Sequence, residues 1–167
     1  RASRGGAAVF SRESAYRALA MLIDKQRLRA LLPHGGSMCL LDGVRRWDAE
    51  SILCVSKTHR DRNNPLRSRG RLAAVHGLEY GAQAAAVHGG LLTRAAGAPP
   101  TRGYLAAFKD ARLLVARLDT IESPLEISAE RLTTDVGDQI YTMRVSASGR
   151  LLVSGRVLVM VPPEKSG

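Results

Sequence analysis

The chain has 167 residues, 45% of them hydrophobic and only 4% aromatic, with a formal net charge of +10 carried mostly by arginine. That length favours one domain with its own core, built from Leu, Val, Ile and Ala, and the charge calls for anionic company such as nucleic acid, an acidic protein or a phosphate-bearing ligand. No apolar run approaches the roughly 20 residues that span a bilayer and no signal-peptide pattern opens the chain. Cys39 and Cys54 form neither a CxxC pair nor a metal-ligand spacing, as expected of reduced core cysteines in a cytoplasmic protein.

Residues 1–20, RASRGGAAVFSRESAYRALA, are small, basic and weakly patterned, and the first residue is not methionine. They read as an extension, flexible or added ahead of a natural start at Met21. The folded domain is expected over 21–162, with 163–167 as a tail. MLIDKQRLRALLPH predicts a short helix: Leu22, Ile23, Leu28, Leu31 and Leu32 recur at helical spacing, Asp24 can cap it, and Pro33 stops it. MCLLDGVRRWD and SILCVSKTH predict two strands joined through DAES as a hairpin. RDRNNPLRSRG reads as a loop. LAAVHGLEYGAQAAAVHGGLLTRAA predicts a long helix, free of proline and apolar on most sides, which argues for burial; GAPP ends it. RGYLAAFKDARLLVARL, PLEISAERLTTDVG, QIYTMRVSAS and RLLVSGRVLVMV alternate apolar and polar residues and predict four strands, with turns at Gly137-Asp138 and Gly149. A helix apolar on most sides must be wrapped by something. The expected class is α+β, an antiparallel sheet curled around one long central apolar helix.

The long helix carries the candidate chemistry. His76, Glu79 and Gln83 fall at i, i+3 and i+7 and share a face. A glutamate among Ala, Leu and Gly is costly to bury unless it pairs with an arginine or carries a proton, and in the second case it can serve as a proton donor. Gln83 is placed to hold that carboxyl, or is a satisfied polar residue. His34 stands at the mouth of a predicted strand, where its ring can serve as a structural hydrogen-bonder. His59, in the Arg-rich loop, reads as solvated. His88 reads as ending the apolar helix, where a histidine favours the negative end.

LPHGGSMCLLDGV, then GRLAAVHGLEYGAQAAAVHG, then the strand GYLAAFKDARL together resemble the hot-dog fold 3-hydroxyacyl-acyl-carrier-protein dehydratases. The likeness is nearest to the branch associated with aryl polyene and related polyketide pigment clusters, and it covers residues 22–161. The resemblance implies that Glu79 is the helix carboxylate of the family and Gln83 its glutamine one turn later. Ala74 falls where many members have a glycine whose N–H faces the thioester carbonyl. One departure matters. The housekeeping members hold their catalytic histidine in an HFPG loop, and the slot fourteen residues before Glu79 is Pro65 here. The pigment-cluster branch shares that departure, and the histidine of its LPH element is left to do the work.

The implied chemistry is therefore dehydration of a 3-hydroxyacyl thioester. His34 takes the C2 proton and Glu79 gives one to the departing hydroxyl, with Ala74, Gln83 and His76 around the substrate and His76 as the reserve base. No metal or organic cofactor is implied, since the acyl chain rides on the phosphopantetheine of an acidic acyl carrier protein. The stretch THRDRNNPLRSRGR suits such a partner. The resemblance also implies a homodimer joined edge to edge, or a heterodimer with a sister dehydratase. The competing readings are a thioesterase on the same fold, with Glu79 activating water, and a non-catalytic partner subunit. A nucleic-acid binder is a further alternative, but it lacks a recognised motif and an aromatic stacking platform.

Overall fold

A computed structural model describes residues 21–32, 36–99, 104–132 and 138–160. The extension over 1–20, His34, the turn at Gly137 and the tail over 163–167 lie outside the described residues.

Ile23–Asp24 (β1) is a two-residue strand and Lys25–Leu31 (α1) follows at once. The first helix therefore starts later than its apolar spacing predicts. Ile23 pairs with Val44 instead, and Asp24 becomes the N-cap, its carboxylate accepting from Arg27 N–H at 3.0 Å. Gly43–Trp47 (β2) and Ser51–Ser56 (β3) form the expected hairpin. Asp48 ties its turn, accepting from Glu50 N–H at 2.9 Å and Ser51 N–H at 2.8 Å. These bonds hold the Asp48 carboxyl below its ordinary pKa. Both strands are shorter than predicted, because Gly36–Met38 and Thr58–Arg60 coil into 3-10 turns. Cys39 thus precedes a strand rather than lying on one. Both cysteines are free and buried, and burial pushes the Cys54 thiol up to about 12.

A 3-10 turn, Ala74–His76, leads into the long helix Gly77–Ala95 (α2). Its end is closed by Ala98 N–H donating to Thr93 C=O and Gly97 N–H donating to Arg94 C=O, both at 3.1 Å, with Gly97 at φ +67. The remaining strands are Tyr104–Leu113 (β4), Leu125–Arg131 (β5), Asp138–Ala147 (β6) and Arg150–Met160 (β7). Among the described residues all pairings are antiparallel, in one seven-stranded sheet of order β1-β2-β3-β5-β6-β7-β4. β4 is consequently an edge.

Helix α2 packs against β3, β5, β6, β7 and β4, and the α+β architecture expected from the sequence is the one found. Leu78, Tyr80, Ala84, Ala85, Val87 and Leu91 of the helix are buried against Ile127, Tyr141, Met143, Val145 and Val153 of the sheet. Its glycines set the distance. A Cβ on Gly77 would stand 2.8 Å from Val153 Cγ2, and one on Gly81 would overlap the Met143 side chain. Close approach to the strands explains glycine at these positions, despite a cost of about 1 kcal/mol relative to alanine in a helix interior. No helix among the described residues is long and apolar enough to cross a membrane.

Candidate active site

Glu79 stands in the first turn of α2 and is half-buried. Its Oε1 accepts from Gln83 Nε2 at 3.1 Å, one turn further along the same face. Gln83 is 3% exposed and spends every part of its amide. Nε2 also donates to Met38 C=O at 2.8 Å, and Oε1 accepts from Leu40 N–H at 2.9 Å. The orientation follows from these partners, since a flipped amide would set oxygen against the Met38 carbonyl and NH2 against the Leu40 N–H. One side chain therefore joins the helix carboxylate to the segment that follows LPHGG. Asp42, Asp110 and Asp119 each meet a lysine or arginine, whereas Glu79 meets the Gln83 amide. The expected cost of burying Glu79 is relieved by partial exposure and the Gln83 bond.

His34 lies outside the described residues, as do Pro33 and Gly35. Asp42, eight residues further on, is structural. Its Oδ1 accepts from Lys25 Nζ at 2.7 Å and its Oδ2 from Lys57 N–H at 2.6 Å, tying α1 to the end of β3. Ala74 does not offer the donor expected of it. Its N–H already donates to Ala116 C=O at 3.0 Å, because the chain beyond β4 pairs with residues 72–74, with Leu118 N–H also donating to Leu72 C=O at 2.8 Å. His76 closes the 3-10 turn three residues before Glu79, with its ring half-buried.

The other two histidines are corrections. His59 is fully buried, not solvated, and donates from Nε2 to Ile121 C=O at 2.9 Å. Burial lowers its pKa. The Arg-rich loop around it is wired to the fold. Arg67 donates to Gly70 C=O at 2.9 Å and to His59 C=O at 3.0 Å, and Asp119 accepts from Leu72 N–H at 2.9 Å and from Arg117. The Arg117 guanidinium helps hold Asp119 at about 2. His88 does not end its helix, which runs on to Ala95. It is fully buried, donating from Nε2 to Asp48 C=O at 2.8 Å and meeting Tyr141 Oη at 3.1 Å through Nδ1. Burial lowers its pKa too. Among the described residues no group of three His, Cys, Asp or Glu side chains could hold a metal ion.

The buried histidines, and the Gln83 bonds to Met38 and Leu40, were missed by sequence reasoning. Their partners lie about 40 to 60 residues away in the chain, where no local pattern announces them.

Comparison with known proteins gives three results. A family model described as ApeP-like, ApeP dehydratase, matches residues 26–167. Among solved structures, the chain is similar to the dehydratase heterocomplex ApeI:P from Xenorhabdus doucetiae, with 26% identity and a TM-score of 0.74 over 85% of this chain and 93% of that one. Its fold is also similar to AziG of S. sahachiroi, at 17% identity and TM-score 0.55 over 78% and 97% of the two chains. The same holds for zebra fish thioesterase superfamily member 2, at 16% identity and TM-score 0.57 over 83% and 95%. At those identities the last two speak for the fold and not the reaction. The curated proteins yield no significant match.

Proposed function

The chain belongs to the ApeP-like dehydratase family and has the hot-dog architecture; from that premise we propose that it converts 3-hydroxyacyl thioesters on an acyl carrier protein to trans-2-enoyl thioesters in polyene or fatty-acid assembly. The observation that carries the reading is the Gln83 amide, bonded at once to Glu79 and to Met38 and Leu40. It anchors the segment leading from His34 beside the helix carboxylate.

In this mechanism neutral His34 removes a proton from C2. Glu79 donates a proton to the 3-hydroxyl, the C3–O bond breaks, C2 and C3 become doubly bonded, and water leaves. Gln83 donates to Glu79 Oε1, so the transferable proton resides on Oε2. Return of one proton from His34 to Glu79 resets the pair. The occupied Ala74 N–H takes that residue out of the role of thioester-oxygen donor.

The carrier protein fits the charge. A net charge of +10, with Arg62, Arg69 and Arg71 exposed on the loop ahead of α2, favours encounter with an acidic partner. A sister dehydratase subunit completes the proposal. The similar Xenorhabdus structure is a heterocomplex, and edge strand β4 carries Leu105 and Leu113, each about half exposed.

Intact mass spectrometry of a carrier protein loaded with a 3-hydroxyacyl chain tests this directly. Loss of one water is the expected result. Release of the whole acyl group would make the protein a thioesterase, and an unchanged load, with or without a sister subunit, would overturn the reading.

A further inference from the structure

Leu40, whose N–H is gripped by Gln83, is held from its other side as well. Its C=O accepts from Ser56 Oγ at 2.6 Å and from Thr58 Oγ1 at 2.8 Å. Thr58 Oγ1 lies 2.8 Å from Tyr80 Oη, and Asn64 Nδ2 donates to that Oη at 3.0 Å and to Thr58 C=O at 2.9 Å. Ser56, Asn64 and Tyr80 are buried.

Proton accounting gives these bonds a direction. Tyr80 Oη accepts from Asn64 and its own proton goes to Thr58 Oγ1, while the Thr58 and Ser56 hydroxyls, 2.9 Å apart, pass their protons on to the Leu40 carbonyl, directly or one through the other. The bonds then close a ring that leaves α2 at Tyr80, passes through Thr58 and Leu40, and returns to α2 at Gln83. At the end of the ring Gln83 donates to Glu79. Accepting the Leu40 N–H polarises the Gln83 amide and strengthens that donation. Two hydroxyls on a single carbonyl exceed what satisfying it requires.

We infer that Ser56, Thr58 and Tyr80 are positioning residues for Glu79. They fix Leu40, Leu40 fixes the Gln83 amide, and the amide decides which carboxyl oxygen is free to carry the proton. The inference rests on the reading of Glu79 as the acid of the dehydration.

Thr58→Val keeps the side-chain shape and removes the hydroxyl, and Tyr80→Phe removes only Oη. Ile52→Val trims the core of β3 outside the ring and serves as the control. The readouts are kcat and KM for water loss from the loaded carrier, and the Gln83 side-chain amide signals in the nitrogen–proton NMR spectrum of the full chain. Thr58→Val is expected to lower kcat about tenfold with KM within about twofold, and to displace the Gln83 signals. Tyr80→Phe follows in the same direction by about threefold, and stands in if Thr58→Val fails to fold. Ile52→Val leaves both readouts in place. Either readout at its wild-type value in Thr58→Val overturns the inference, and so does an Ile52→Val that reproduces the losses. If the wild-type protein removes no water, the dehydratase reading fails and the Gln83 signals alone decide. Displaced in Thr58→Val but not in Ile52→Val, they support the ring; unmoved in both, they refute it.

Discussion

The pentapeptide Ala-Ala-Val-His-Gly occurs twice, at 73–77 and 85–89, twelve positions apart. The first copy opens α2 through a 3-10 turn, with Val75 47% exposed and His76 half-buried. The second lies within the helix, with Val87 and His88 fully buried. His88 spends one ring nitrogen on the β2–β3 turn and the other on Tyr141, whose ring it meets edge-on at 5.6 Å. Identical local sequence thus yields a structural histidine in the body of the helix and a half-open one at its start, three residues before Glu79. The fate of the ring is set by what the sheet brings to it.

Substitutions in the two copies should separate them. His88→Ala strands the Asp48 carbonyl and the Tyr141 hydroxyl around a cavity and should cost about 2–4 kcal/mol in urea unfolding; a loss below about 0.5 kcal/mol would contradict the burial. Gly77→Ala drives a methyl against Val153 and should cost about 1–3 kcal/mol. Gly89→Ala should do the opposite. Its Cβ would meet Gln139 Oε1 at 3.4 Å, an ordinary contact, so helix propensity should raise stability by about 0.5–1 kcal/mol. A matching sign for the two glycines would break the comparison.

The pH dependence of unfolding sharpens it further. Burial lowers the pKa of both His88 and His59, so the unfolded chain takes up these protons first as the pH falls. Their stabilisation is full above about pH 6.5, the ordinary histidine value, and is lost as pH falls below it. The thermal midpoint should decline between about pH 7 and pH 5, less steeply in His88→Ala, with the His59 share remaining. His76→Ala should stay within about 0.5 kcal/mol of the parent.

The long helix and the alternating strands were legible because their periodicity is local, and so was the Glu79–Gln83 pair, one helical turn apart. What escaped was decided at a distance. Ile23 leaves the first helix because Val44 offers a strand partner. His59 reads as solvated among charged neighbours, until Ile121 arrives from beyond β4 to accept from its ring. The donor read at Ala74 fails for the same reason. Residues 102–118 read as one strand, yet the strand stops at Leu113 and Ala116 turns back to take the Ala74 N–H. The grip of Gln83 on Met38 and Leu40 spans more than forty residues and no spacing rule reaches it.

In the dehydration proposed here Glu79 supplies the proton that carries off the hydroxyl. The rate of water loss from a 3-hydroxyacyl carrier protein, compared between the wild type and Glu79→Gln at matched folded content, tests it most directly. Glutamine preserves the shape and can still accept from Gln83, but it has no acidic proton to transfer. A fall of at least about 100-fold is expected; a variant that keeps its rate within about twofold would contradict the role of Glu79 as the acid.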